Sequence, residues 1–270
     1  MLPLEGVKVV SLAINLPGPL AASRLAEMGA TVTKVEPPTG DPLAAAAADW
    51  YSELTARQTV VTLDMKADRP KLDELLSDAD ILITSMRPSA LERLGLARPH
   101  EQFPQLSLIE IVGHPGDRAE VPGHDLNYQA VHGILTPPHM PRVPIADILG
   151  GERAVSAALA ALVRRTTSGT GAAYRVALED AAAAAGGAVR HGVTGDDAPL
   201  GGALPMYNLY KCADGYVALG AVEPHFFLRA LEVFGEGGTY EEFAAFFADK
   251  TKAELEALAA EHDVPLNGVR

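Results

Sequence analysis

Polar side chains with chemistry to offer gather in two short stretches, Pro122-Gly123-His124-Asp125-Leu126-Asn127-Tyr128 and Ile145-Ala146-Asp147-Ile148-Leu149-Gly150-Gly151. An imidazole and a carboxylate can each take up and return a proton, so acid–base transfer is the chemistry open to them. Residue type alone decides nothing here. Asp147 precedes an apolar helical run, where an aspartate commonly serves the helix N-terminus, and an isolated His124 is commonly a loop or core residue. Other chemistries are disfavoured. The joint after the first strand reads Asn15-Leu16-Pro17-Gly18-Pro19 instead of G-x-G-x-x-G. Its two prolines lack the amide N–H groups that cradle a pyrophosphate, which argues against a nicotinamide-dependent oxidoreductase. There is no P-loop, H-E-x-x-H or G-x-S-x-G motif. Cys212 is the single cysteine, so neither a disulfide framework nor a cysteine-built metal site can form within one chain, and no metal ligands are assigned.

The elements that must position these residues alternate in type. Strand patterns at 8–13, 31–36, 59–64, 81–84 and 106–112 are interleaved with apolar-faced helices at 20–28, 69–77 and 89–94. This alternation predicts βαβ units and an α/β fold, with a Rossmann-like, mostly parallel sheet. Alanine-rich helices are expected at 150–165 and 179–189, with a short strand at 174–178 between them. A glycine- and aspartate-rich linker at 192–202 divides a large domain, 1–194, from a smaller, shortened α+β domain, 195–270. The latter should hold a strand at 216–219 and helices at 226–234 and 252–261.

The composition, 48% hydrophobic and 21% charged over 270 residues, is that of a globular protein with a substantial core. A net charge of −13 disfavours nucleic acid as a partner, and any phosphate-bearing ligand must find its cations locally. The N-terminus lacks a basic signal start, and no apolar run reaches the roughly 18 residues of a membrane span. A soluble cytoplasmic protein is expected.

In order along the chain, Pro17-Gly18-Pro19, Gly29-Ala30, Val35-Glu36-Pro37, Leu63-Asp64-Met65-Lys66, Arg87-Pro88 and Glu92-Arg93-Leu94-Gly95-Leu96 are followed by Gly123-His124-Asp125-Leu126-Asn127-Tyr128, Ala146-Asp147 and Gly150-Gly151. Ser168-Gly169-Thr170-Gly171, Gly201-Gly202-Ala203, Ala213-Asp214-Gly215 and Gly220-Ala221-Val222-Glu223-Pro224 complete the series. Each motif is weak; together, over essentially the whole chain, they resemble CoA-transferase family III, the CaiB/BaiF family, which joins 2-methylacyl-CoA racemases to class III CoA-transferases.

The resemblance implies an enzyme that acts on acyl-CoA thioesters without a prosthetic group. In the racemase branch, His124 and Asp147 would take the α-proton from one face of the thioester and return one to the other. Glu223 would orient the histidine, and the start of the helix after Asp147, opened by Gly150-Gly151, would stabilise the enolate oxygen. In the transferase branch, Asp147 would instead attack the thioester and carry covalent adducts. Histidine at position 124, together with Glu223, favours the racemase. Coenzyme A would meet Lys34, Lys66 and Arg87 at its nucleotide, with Leu63, Asp125 and Tyr128 lining the same site.

Three departures stand out. The family's basic stretch is reduced to Leu54-Thr55-Ala56-Arg57-Gln58, Thr170 replaces a lysine, and Arg87-Pro88 is followed by Ser89 instead of glycine. The small domain looks shortened between Phe234 and Phe243, and the chain stops soon after Val264-Pro265-Leu266, where relatives continue and interlock two subunits. A side-by-side homodimer is compatible with this sequence; full interlocking is not expected. A non-catalytic acyl-CoA binder is the third alternative.

Overall fold

The computed structural model describes residues 2–270. The chain divides into two compact units, one ending at Gly186 and the other Gly187–Arg270. This division falls before the glycine-rich stretch expected to separate the domains. That stretch is not an extended linker: it turns on itself, with Gly192, Gly195 and Gly202 at positive φ and the Leu200 amide donating to the Val193 carbonyl at 2.9 Å.

The described residues of the first unit form six strands: β1 (Lys8–Ser11), β2 (Thr31–Glu36), β3 (Gln58–Thr62), β4 (Ile81–Thr84), β5 (Ser107–Val112) and β6 (Ala173–Ala177). All pair in parallel in the order β3-β2-β1-β4-β5-β6. Every residue of β4 and β5 is buried, as expected of central parallel strands covered on both faces. Successive side chains alternate between two cores. Val9, Ile81, Ile83, Ile109 and Ile111 join one, while Val10, Leu82 and Leu108 join the other.

Among the described residues of this unit, nine α-helices accompany the sheet: α1 (Pro17–Glu27), α2 (Pro42–Ala46), α3 (Ala48–Thr55), α4 (Arg69–Ser77), α5 (Pro88–Arg93), α6 (Pro99–Gln102), α7 (Asp125–Val131), α8 (Ile145–Ser168) and α9 (Leu178–Ala185). Leu25 of α1 and Ala154, Ala158 and Ala161 of α8 pack on one face of the sheet. Leu72 and Leu76 of α4 and Leu91 of α5 pack on the other.

The second unit contains α10 (Gly187–Arg190), α11 (Pro224–Phe234), α12 (Tyr240–Phe247) and α13 (Lys252–Glu261). Its sheet is antiparallel, a hairpin of β7 (Tyr207–Cys212) and β8 (Gly215–Gly220) to which β9 (Leu266–Gly268) adds beside β8 after the three longer helices. Tyr210, Phe234, Phe243 and Phe247 are its largest core side chains, with Phe234 and Phe247 packed edge to face at 4.9 Å. The segment between Phe234 and Phe243, read from sequence as shortened, leads into α12, where Thr239 and Glu242 form a capping box.

Helix α8 starts earlier than expected, at Ile145, so Asp147 lies in its first turn and Gly150-Gly151 lie inside it. The glycines serve packing and do not open the helix. A Cβ on Gly150 would sit 2.2 Å from Leu178 Cδ2, and one on Gly151 would sit 2.7 Å from Leu20 Cδ2 and 2.9 Å from the Pro17 carbonyl oxygen. Because a backbone atom cannot step aside as a side chain can, Gly151→Val should overpack the α1–α8 contact. The expected loss of stability is about 1–3 kcal/mol, read as a lower midpoint in denaturant with an unchanged slope.

Candidate active site

Strands β1 and β4 are neighbours, yet the chain leaves them toward opposite edges of the sheet. Their carboxyl ends therefore border the crevice at which open α/β sheets bind ligands. The Ile14 amide closes its floor by donating to Ser85 Oγ at 3.2 Å. Asn15 follows at φ +68°, a left-handed conformation that asparagine tolerates better than most residues. Its amide is held by Asp41 Oδ1 at 3.0 Å.

Asp41 in turn engages Lys34, which corrects an expectation. Lys34 was assigned to the nucleotide of the ligand, but its side chain is fully buried. Its Nζ donates to Asp41 Oδ2 at 2.7 Å and to the Ala13 carbonyl at 3.1 Å, and lies 3.4 Å from Glu36 Oε1. Tyr51 donates to the same Glu36 oxygen at 2.7 Å. Lys34 is thus neutralised inside the protein, where it braces the first loop and offers no cation to a phosphate.

On the far side of the crevice, His124 precedes α7, and its amide donates to Asn127 Oδ1 at 3.0 Å. Asp125, expected to line the cofactor site, closes the start of α8. Its Oδ1 accepts from the amides of Ala146 at 2.8 Å and Asp147 at 3.2 Å. Its Oδ2 accepts from the Gln129 side chain, which also donates to the Val143 carbonyl at 3.1 Å. Asp147 itself is half-buried. Burial first, and the neighbouring Asp125 charge second, push its carboxyl up to about 7.

His124 and Asp147 line one cavity of about 220 Å³, together with Ile14, Asn15, Ser85, Gly113, Tyr128 and Leu178. Tyr128 is 1% exposed, and its hydroxyl has no hydrogen-bond partner. Burial, and then the charge of Asp147, push its ionisation up to about 12, so it is a neutral phenol. Arg87 lines an adjoining cavity of about 180 Å³ that shares Ser85, Gly123, His124 and Tyr128 with the first. Leu63 and Lys66 line a third, of about 360 Å³, which shares Met86 with the second. Arg93 also lines this third cavity. It was read from sequence only as part of a motif, and its position in the last turn of α5 was its one available signal. Glu223 belongs to the second unit, where it is exposed and precedes α11.

A larger cavity, about 670 Å³, reaches Lys8 and Thr31 at the N-terminal ends of β1 and β2 and shares Leu63 with the third, but His124, Asp147, Arg87 and Lys66 do not line it. Among the described residues, no cluster of three or more histidine, cysteine or acidic side chains is placed to hold a metal ion, and no helix is long and apolar enough to cross a membrane.

A doubly wound sheet with a titratable pair at its switch point defines an α/β enzyme class. The chain belongs to CoA-transferase family III, whose model matches residues 4–270. It is 30% identical over 296 aligned residues to the alpha-methylacyl-CoA racemase of Mus musculus, covering 93% of this chain and 73% of that one. It is 29% identical over 241 residues to the (R)-2-hydroxy-4-methylpentanoate CoA-transferase of Clostridioides difficile, covering 78% and 60%. A crystal structure of a CaiB/BaiF family protein from Brucella suis matches all of this chain and 84% of its own length, with a TM-score of 0.81 and 25% identity.

The raised Asp147 carboxyl has a consequence for stability. Its folded pKa lies above the unfolded one, so the native state binds the extra proton between about pH 4 and 7, and stability falls as pH rises through that window. At pH 8, Asp147→Asn should therefore be more stable than the parent, by at most about 4 kcal/mol at 1.36 kcal/mol per unit. The gain should shrink toward zero near pH 4 in denaturant titrations. Asp125→Asn should lower the Asp147 titration midpoint only partly, because burial is the larger cause; carboxyl-carbon NMR would read the shift.

Proposed function

We propose that this protein exchanges the α-proton of a 2-methylacyl-CoA or related thioester, racemising or epimerising it, with His124 and Asp147 as the two acid–base groups. The observation that carries this reading is that both side chains line a single small cavity at the sheet's switch point. A carboxyl near 7 suits the role, since a group that must both accept and donate a proton works best with a pKa close to the operating pH.

The chain of three adjoining cavities supports the ligand class. A coenzyme A thioester is long, with a reactive carbonyl at one end and phosphates at the other. His124 and Asp147 lie at one end of the series, Arg87 in the middle, and Lys66 and Arg93 at the other end. These three cations supply local positive charge on an acidic protein. The chemistry needs no prosthetic group: coenzyme A arrives as part of the substrate.

CoA transfer between carboxylic acids is the second reading, favoured by the placement of the Asp147 carboxyl in the same cavity and by the similarity to a transferase. The two separate in heavy water. Proton exchange predicts deuterium at the α-carbon of 2-methylbutanoyl-CoA with no acceptor acid present. Transfer predicts no deuterium there with or without a carboxylate; adding one instead releases the first acid and forms a new acyl-CoA, with an adduct trapped on Asp147. Binding with neither reaction would leave an acyl-CoA binder. Asp147→Ala should reduce exchange by about 10²–10⁴-fold; normal turnover in that variant would remove Asp147 from the mechanism.

Lys66→Ala should weaken coenzyme A binding roughly tenfold at low salt and less at high salt, measured by calorimetry, with little change in the maximal exchange rate.

A further inference from the structure

An enolate oxygen needs a hydrogen-bond donor that is not already committed. The first amides of α8 do not qualify: those of Ala146 and Asp147 are held by Asp125, and that of Ile148 donates to the Pro144 carbonyl at 3.1 Å. Among the described residues, the buried side-chain atoms without a partner are Ser11 Oγ, Gln58 Oε1, His100 Nδ1, His132 Nε2 and the Tyr128 hydroxyl. Of these residues, only Tyr128 lines the cavity of His124 and Asp147.

The surroundings of Tyr128 fix where that hydroxyl points. Its ring meets two glycines: a Cβ on Gly113 would stand 2.3 Å from the hydroxyl oxygen, and one on Gly123 would stand 2.8 Å from it. The ring of His114 packs against it edge to face, with centroids 5.1 Å apart at 85°. His114 is itself locked. Its Nδ1 lies 2.7 Å from Glu179 Oε2, and Arg118 donates to the same oxygen at 2.5 Å. Glu179 is 8% exposed, and His132 Nε2 stands 4.0 Å from its other oxygen. The Glu179 amide donates to the Gly113 carbonyl at 3.0 Å. Residues 113 and 114 are therefore gripped through backbone and side chain at once, and Tyr128 leans on both.

We propose that Glu179 and His114 are positioning residues that hold Tyr128 so that its hydroxyl donates a hydrogen bond to the thioester oxygen as that oxygen gains charge in the enolate. The phenol keeps its proton throughout; the α-proton moves between carbon and the His124–Asp147 pair. This inference rests on the proton-exchange reading. It explains why a buried hydroxyl is left unpaired, which a purely structural tyrosine would not need.

The test measures deuterium wash-in to 2-methylbutanoyl-CoA, its KM and the melting temperature for Tyr128→Phe, His114→Gln, Glu179→Gln and the His114→Gln/Tyr128→Phe double variant. Tyr128→Phe should melt no lower than the parent, because it deletes an unsatisfied polar atom. Its kcat should fall about 10²-fold, in line with the loss of one oxyanion donor, with KM within about twofold. His114→Gln and Glu179→Gln should lower kcat by roughly tenfold, and the double variant should be no slower than Tyr128→Phe alone, as expected of residues acting through a shared group. Should Glu179→Gln fail to fold, His114→Gln and the double variant carry the same comparison. Two outcomes overturn the proposal while leaving proton exchange intact: Tyr128→Phe turning over at the parental rate, or His114→Gln slowing Tyr128→Phe by the same factor as it slows the parent. A parent protein that washes in no deuterium defeats the proton-exchange reading, and this proposal with it.

Discussion

The N-terminus of α8 is closed by a side chain that the helix does not own. Pro144 precedes the helix and offers no side-chain cap, so the orphan amides of the first turn are met by Asp125 from the start of α7. A side-chain cap is worth about 1 kcal/mol, but its larger effect here is geometric. It ties the segment that carries His124 to the helix that carries Asp147, and so makes one cavity of two loops. It also sets the electrostatics. A carboxyl in the first turn of a helix would ordinarily be acidified by the free amides and the dipole. Asp125 consumes those amides and adds its own negative charge, so burial prevails and Asp147 rises.

Across the crevice, a second ionic arrangement does a complementary job. Lys34, Asp41 and Glu36 are all buried. Such a group is stabilising only when its partners are well placed, and removal of one leaves an uncompensated charge. The partners here are close: the ammonium meets two carboxylates and a carbonyl, and Asp41 spends its other oxygen on the amides of Asn15 and Leu43. The loop between β1 and α1 is therefore fixed from beneath, and Asn15 can sit in a left-handed conformation at the cavity wall.

Much of the scaffold was legible in the sequence. Strands β2 and β4 and helices α4 and α13 have the bounds that their hydrophobic period predicts, because short apolar runs between strong breakers leave little choice. What escaped is what depends on distant partners. Helix α7 buries only Tyr128 and Gln129, too few for a periodic signal. Strand β7 has just two buried residues, Tyr210 and Cys212, and is defined by its pairing with β8. At the candidate site, the family resemblance singles out His124 and Asp147, and both line one cavity. The fate of Lys34 was not readable, since an exposed and a buried lysine look alike until Asp41 is folded against it. Nor were His114 and Glu179, which stand 65 positions apart.

The joint between β1 and α1 has an evolutionary corollary. In dinucleotide-binding sheets of this strand order, the crevice recognises its ligand largely through backbone amides of a glycine-rich turn, which side-chain substitutions barely alter. Here prolines occupy that turn, and the crevice is furnished by side chains from three loops and two helices: Asn15, Ser85 and His124, then Tyr128 of α7 and Asp147 of α8. Its selectivity is consequently open to point mutation, one wall at a time, without disturbing the sheet. That is a ready route by which a single architecture diversifies into proteins named for isomerisation and for group transfer.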